Sequence, residues 1–276
     1  MEYEFWGIKN KDEPKNFIFA FGSIVNDESR KSTAPNAGYP IPVRISKEFG
    51  YRRMWNYQSS GAKLTALGLE KVDQNLAKSI NGIIYSVNER DIYEFDKREE
   101  GYSKIRIPIK YIESYNWQCL PKQSNVWVYV PIGKKGEIGM DLCPSDKYYP
   151  ILQTYIDITL SGFLKYGDDF AMEFLYTTGN WSKYWLNDRQ IPRRPWLFQE
   201  NYRKIDKFLE YIGKTYGYNG IDNKRKNYYM ERKLPVEFSI YFISEKCDAK
   251  HSKHHKYYPQ RNFSELNTDL KYPSYI

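Results

Sequence analysis

No apolar run in the 276 residues approaches the roughly 18 that cross a bilayer. The opening Met1-Glu2-Tyr3-Glu4-Phe5-Trp6 has acidic residues where a secretory signal would place basic ones. The expectation is an intracellular, cytoplasmic protein with no membrane partner. Cysteine is scarce: Cys119, Cys143 and Cys247 are far apart and odd in number, which excludes a disulfide framework and a Cys-x-x-Cys metal knuckle and fits a reducing compartment. All three histidines fall in His251-Ser252-Lys253-His254-His255, with no cysteine or carboxylate set beside them to complete a zinc site. Ser23 follows Gly22, but no Gly-x-Ser-x-Gly and no partner histidine make it a nucleophile elbow. Neither a metal nor a cofactor is expected.

What is present is apolar enough to fold. Hydrophobic residues make up 41%, aromatics 17% and charged residues 28%, outside the range of disordered chains. The length suits one large or two small domains. The net charge of +8 is uneven, because residues 201–276 hold 15 Lys+Arg against 9 Asp+Glu, a net of +6. The remaining residues are close to neutral, as on an ordinary enzyme surface, whereas the basic tail suits an acidic partner. Lys224-Arg225-Lys226-Asn227-Tyr228-Tyr229 would offer phosphate contacts and stacking to a nucleic acid, although a solvated tail is the commoner outcome of such composition.

The chain divides into a polar lead-in at 1–15, a strand-rich unit at 16–145, a helical extension at 146–215 and a basic Tyr/Lys-rich segment at 216–276. The run Asn16–Ser23, stopped by Gly22, reads as a buried strand entering a tight turn. Further strands are expected at Tyr39–Ile45, Phe49–Trp55, Ala62–Leu69, Ile80–Val87, Ser103–Ile112 and Ser124–Val130, the first held to an edge by Pro40 and Pro42. Asn88, followed by acidic first-turn residues and apolar side chains, starts a helix. From residue 150 the spacing of Ile151, Tyr155, Ile158 and Leu160 is helical, as are Phe170, Phe174 and Leu175 and the segment Gln199–Ile212; a short strand is expected at Val236–Ile243. The fold class is α+β: a small mixed β-barrel with flanking helices and a largely helical C-terminal extension.

Two local constellations carry chemistry. In Phe21-Gly22-Ser23-Ile24, a strand end exposes successive backbone N–H groups across a glycine turn that suits an anion. No Gly-Lys-Ser/Thr makes it a P-loop. In Asp96-Lys97-Arg98-Glu99-Glu100-Gly101-Tyr102, a carboxylate at a strand mouth would be desolvated and gain proton affinity. Each motif alone usually marks an ordinary turn or a solvated charge run.

Their order resembles the gamma-glutamylcyclotransferase-like superfamily, which includes gamma-glutamylcyclotransferases, gamma-glutamylamine cyclotransferases and the glutathione-specific ChaC enzymes. The likeness covers roughly residues 16–130 and includes Phe49-Gly50-Tyr51-Arg52-Arg53 and Asn81-Gly82-Ile83-Ile84-Tyr85. It implies that Phe21, Gly22, Ser23 and Ile24 hold the glutamyl unit, that Glu99 is the catalytic acid/base and that Tyr102 lies beside it. Phe21 stands where tyrosine is usual, and Glu100 inserts a second candidate for the catalytic carboxylate. The implied reaction is cyclisation of a small-molecule gamma-glutamyl substrate to 5-oxoproline with release of an amine, without metal or cofactor. Cys-Gly of glutathione, an amino acid and a lysine are all open as leaving groups. Asn187, Asp188 and Arg189 are candidates for the cleft rim. The rival reading is a non-catalytic barrel module that binds an acidic or nucleic-acid partner through its basic C-terminal part.

Overall fold

The computed structural model describes residues 13–115, 119–182, 184–189, 192, 194–197 and 199–216. The histidine cluster, Cys247 and the strand expected at Val236–Ile243 lie outside the described residues. The strands are β1 (Asn16–Ala20), β2 (Ile41–Ile45), β3 (Tyr51–Ser59), β4 (Leu64–Lys71), β5 (Ile80–Val87), β6 (Tyr102–Ile107), β7 (Ile112–Ser114), β8 (Asn125–Pro131), β9 (Ile151–Leu152) and β10 (Trp185–Leu186). The helices are α1 (Asp27–Lys31), α2 (Glu89–Arg98), α3 (Gln153–Leu164), α4 (Asp168–Thr177) and α5 (Tyr202–Tyr216). None is long and apolar enough to cross a membrane.

Burial of every β1 residue follows from its unbroken apolar run, which suits a central strand covered on both faces. β1 pairs antiparallel with β5 and parallel with β8, inside a six-stranded sheet of order β6-β8-β1-β5-β2-β7. The expected closed barrel is therefore corrected to an open mixed sheet plus a separate β3–β4 ribbon. Segments outside the named strands cover the ribbon's edges, one of them through a parallel bridge between Gly179 and Met54. On β3, the Trp55 N–H donates to the Gly179 C=O and the Gly179 N–H to the Arg53 C=O. On β4, the Thr65 N–H takes the Pro150 C=O and the Lys71 N–H the Gly139 C=O. Covered edges need no further strand.

A second correction concerns β2, which is an interior strand between β5 and β7. Proline is tolerated there because β7 pairs only with Val43–Ile45. The Pro42 carbonyl faces that side, accepting from the Tyr115 N–H at 3.3 Å, so its missing N–H points past the end of β7.

Residues 151–209 pack into the same core as the sheet. Ile156, Leu160 and Phe163 of α3 and Phe170 and Phe174 of α4 are fully buried and continuous with Phe17 and Trp55. Gly162 shows how closely α3 lies on the chain after β1: a Cβ there would come 2.6 Å from the Asn26 nitrogen.

Candidate active site

Beyond β1, Gly22 caps one 3-10 turn, Ser23–Val25, closed by the Val25 N–H to the Gly22 C=O at 3.0 Å. The amides of Gly22, Ser23 and Ile24 precede that first closing bond, the position at which a helical turn leaves its donors outside the ladder. Asn26 ends the turn and caps α1, its side chain accepting from the Glu28 and Ser29 N–H groups. Against this turn lies Tyr155 of α3, whose hydroxyl meets the backbone and side chain of Ser23 and the backbone of Leu67.

The facing wall is the end of α2. Asn88 and Asp91 form a capping box at its start, and Ile92 and Phe95 are its buried stripe. Asp96, the first acid of the motif, faces away from the site and accepts from the Tyr129 hydroxyl at 2.7 Å and from Lys104 at 2.9 Å. Arg98 fastens the helix end to α1: Nη1 donates to the Ser29 carbonyl at 2.6 Å and to Thr33 Oγ1 at 2.7 Å, and Nη2 to Ser29 Oγ at 2.9 Å. Its Nε lies 3.3 Å from Glu99 Oε1. Glu99 is the C-terminal cap of α2, and Gly101 then turns the chain into β6 with φ +91°. The Tyr102 hydroxyl donates to the Leu67 carbonyl at 3.1 Å.

Between these walls is a cleft of about 190 Å³ lined by Ser23, Glu99, Tyr102 and Tyr155, with Arg98 and Arg194 also contributing. Ala62, Leu64, Ala66, Leu152 and Ile158 give it an apolar lining. The Glu99 side chain is only 19% exposed. Burial pushes its carboxyl above the ordinary glutamate range, and the positive charges of Arg98 and Arg194 offset only part of that. Burial also raises Tyr102 and Tyr155, with the Glu99 charge adding to both, so both phenols keep their protons at neutral pH. The cleft thus combines one proton-accepting carboxyl, two phenols and a backbone turn, a set suited to moving a proton on a small polar ligand.

Of the residues expected in the site, Ser23, Glu99, Glu100 and Tyr102 line the cleft. Glu100 is exposed at the rim, and its backbone carbonyl accepts from the Tyr57 hydroxyl at 3.1 Å. Phe21 packs into the core beside Phe19, Ile24 packs against that core, and Gly22 shapes the turn. Asn187, Asp188 and Arg189 do not line the cleft. Asp188 accepts from the N–H and hydroxyl of Thr154 at 2.9 and 2.6 Å, which ties the segment after β10 to α3, and Arg189 forks onto Asp157 of α3 and Asp206 of α5, which ties those two helices together. Sequence reasoning missed Tyr155 and Arg194. The available signal was a phenol in the apolar stripe of Ile151, Tyr155 and Ile158, which reads as core because its spacing is helical. Among the described residues no group of three His, Cys, Asp or Glu is placed to hold a metal ion.

The Gly101 turn yields a direct prediction. Any Cβ there would meet the Tyr57 hydroxyl, and the left-handed backbone alone costs a non-glycine residue about 1–2 kcal/mol. Gly101→Ala should lower the urea midpoint accordingly, and adding Tyr57→Phe should recover the steric part while leaving the backbone part. Full stability in the single variant would show that the turn can move away without loss.

No family model matches the chain, and no curated protein matches it. Solved structures do. One described as gamma-glutamyl cyclotransferase is 12% identical, with 60% of this chain and 90% of that one covered and a TM-score of 0.43. A gamma-glutamyl cyclotransferase specific to glutathione, from yeast, is 12% identical over 58% of this chain and 85% of that one, with a TM-score of 0.28. YkqA from Bacillus subtilis is 12% identical over 59% of this chain and 54% of its own, with a TM-score of 0.39.

Proposed function

We propose that this chain is a gamma-glutamylcyclotransferase-like lyase that converts the gamma-glutamyl group of a small substrate to 5-oxoproline and releases an amine. The observation that carries this reading is Glu99: a mostly buried carboxyl of raised proton affinity in a cleft that Ser23, Tyr102 and Tyr155 also line. The reaction asks little else of a protein, because the nucleophile is the substrate's own α-amine and ring closure makes a five-membered lactam.

With the α-carboxylate on the turn of Gly22, Ser23 and Ile24, displacing the Tyr155 hydroxyl from the Ser23 backbone, the α-ammonium would face Glu99. The Glu99 carboxylate takes one ammonium proton, and the freed amine attacks the γ-carbonyl carbon. The bond from that carbon to the leaving nitrogen then breaks as Glu99 returns that proton to it, and the second proton that the ring nitrogen must lose passes by way of Glu99 to the released amine, which leaves as its ammonium. Holding the two ends of a flexible chain together supplies the near-attack geometry. Tyr155 fixes the Ser23 side of the pair, and Arg98 fixes the Glu99 side through α1. Neither metal nor cofactor has a step in this scheme.

The test is 5-oxoproline release from a panel of gamma-glutamyl amino acids, amines and glutathione. Absence of release from every member would end this reading and favour the binding module, whose basic tail would then show a nucleic-acid affinity falling steeply with salt.

A pH experiment tests the buried carboxyl without substrate. Folding raises the Glu99 pKa above its unfolded value of about 4.3, so in the window above that value the folded state holds a proton that the unfolded state has lost. Stability from this group is full below the window and falls as pH rises through it. Glu99→Gln should therefore be more stable than the parent at pH 7, with the difference in Tm closing as pH falls towards 4. A parent that stays more stable at pH 7 would mean that the ion pair with Arg98 outweighs desolvation.

A further inference from the structure

The turn that carries Glu99 and Glu100 is pinned at three successive carbonyls. That of Glu99 accepts from the Tyr102 N–H at 2.9 Å, that of Glu100 from the Tyr57 hydroxyl at 3.1 Å and that of Gly101 from the Ile132 N–H at 3.0 Å. The outer two donors are backbone, and the middle one is a side chain of β3. A bulge brings it there. Trp55 pairs with Leu67 and Tyr57 with Ala66, which leaves Asn56 as an extra residue. Residues two apart on a strand normally share a face, but a bulge re-aims the side chain beyond it. Trp55 thus shares the face of Leu67 and packs on Tyr155 and Trp181, with ring centroids 5.6 and 5.3 Å away, while Tyr57 shares the face of Ala66. Tyr57, Ser59, Leu64 and Ala66 accordingly all line the cleft. The Tyr57 ring lies 4.3 Å from that of Tyr102, so this one side chain grips the turn on both sides of Gly101.

Resting on the cyclotransferase reading, we infer that Tyr57 is a positioning residue: through the Glu100 carbonyl it keeps the Glu99 carboxyl in the cleft and that of Glu100 at the rim. The sequence offers two adjacent carboxyls, and the conformation of the turn alone decides which of them enters. The Glu100 carbonyl belongs to the peptide that leads into Gly101, whose φ is +91°. Glycine adopts many other conformations as readily, so the residue that permits this turn cannot also fix it. The Tyr57 hydroxyl on that carbonyl supplies the constraint. Arg98 holds Glu99 from the α1 side, with Nε 3.3 Å from Oε1, but it grips the side chain, whereas Tyr57 grips the backbone that follows. Burial and the charges of Glu99 and Glu100 raise the Tyr57 pKa, so the phenol keeps its proton and remains a donor at neutral pH. A proton acceptor must sit within hydrogen-bond reach of the ammonium it serves, and a small displacement of the turn would forfeit that reach.

The test uses the full chain with Tyr57→Phe, which removes the hydroxyl and keeps the ring, and Tyr57→Leu, which removes both. On whichever gamma-glutamyl substrate the parent turns over, Tyr57→Phe should lower kcat by about 2- to 10-fold, the range of one net hydrogen bond, with KM changed by no more than about twofold. Tyr57→Leu should lower kcat by about 10- to 100-fold, because the ring contact is lost as well. The acidic limb of kcat should move down in pH, further for Tyr57→Leu than for Tyr57→Phe, because a carboxyl released from the cleft gains water. Arg98, Arg194, Tyr85, Tyr102, Tyr129 and Tyr155 are the groups whose charges or phenols couple to Glu99. Both variants retain them, so a moved limb reports the place of the carboxyl. Full kcat in Tyr57→Leu overturns the proposal and leaves the cyclotransferase reading standing. So does a raised KM at constant kcat, which would make Tyr57 a substrate contact, and so does a lowered kcat with an unmoved limb, which would make it merely structural. If the parent releases no 5-oxoproline, the cyclotransferase reading fails, and the role of Tyr57 is then decided by NMR titration of the Glu99 carboxyl carbon, its resonance identified by its absence in Glu99→Gln. A lower pKa in both Tyr57 variants upholds the positioning role, and an unmoved one overturns it.

Discussion

Glu99→Gln should reduce 5-oxoproline formation by about 10²–10⁴-fold, the usual contribution of a positioned acid/base group, on whichever gamma-glutamyl substrate the parent uses. Glutamine keeps the size and hydrogen-bonding reach of the side chain but cannot take the ammonium proton. The loss should fall mainly on kcat. Glu100→Gln is the control: the side chain is exposed at the rim, so its removal should change kcat by no more than a few-fold. The reverse result, with Glu100 essential and Glu99 dispensable, would transfer the role to the second carboxyl and detach catalysis from the buried site. The pH profile adds a signature. Because the deprotonated form of Glu99 is the working base and burial raises its pKa, the acidic limb of activity should lie above the ordinary glutamate range. An acidic limb at the usual glutamate value would place the proton acceptor elsewhere.

The largest expected stability effect is at Arg53. Its side chain is fully buried, and its guanidinium donates to the Asn81 backbone and side chain at 2.7 and 2.8 Å and to the hydroxyls of Thr177 and Thr178 at 2.8 Å each. Longer bonds reach the carbonyls of Phe21 and Phe174 at 3.4 and 3.3 Å. Phe174 and Thr177 lie in the last turn of α4 and Thr178 caps it, at the negative end of the helix dipole, and the Phe174 ring lies 4.3 Å under the guanidinium. Burial still lowers its pKa, to about 9, with Glu173 acting in the opposite direction.

Arg53→Met should cost about 3–5 kcal/mol, the range for dismantling a buried charged network, because it leaves several buried acceptors without donors. In a chain of this size that is roughly 6–20 °C in Tm. Arg53→Lys should recover only a small share, since an ammonium cannot serve this planar set of acceptors. A methionine variant within about 1 kcal/mol of the parent would mean that the acceptors re-pair or hydrate, and that the network is not what docks α4 on the sheet.

Local signals placed most elements and only half of the site. The β5 range Ile80–Val87 and the Asn88 cap were legible because an apolar run and a capping residue are short-range facts. Glu99 and Ser23 were legible because a turn and a charge run frame them. Closure of the sheet was not, since it depends on whether Gly179, Pro150 and Gly139 cover the β3–β4 edges, residues far along the chain from the strands they protect. Pro42 misled for a related reason: an interior strand admits proline where its neighbour is shorter, and β7 has three residues. Tyr155 was missed because it meets Ser23 only once α3 packs on that turn, and Arg194 because it joins the cleft from a segment far along the chain. Arg53, second of two adjacent arginines, could not be told from Arg52, which pairs with Glu70 on the surface at 2.7 Å.

The Arg53 network also sets an order of events during synthesis. Asn81 follows Arg53 by 28 positions, but Phe174, Thr177 and Thr178 follow by 121, 124 and 125. At about 5–20 residues per second, the emerging chain carries β3 for roughly 6–25 s with half of the guanidinium's acceptors unmade. The apolar faces that α3 and α4 will cover are open for the same interval. A nascent chain in that state is the form most exposed to aggregation and most dependent on chaperones.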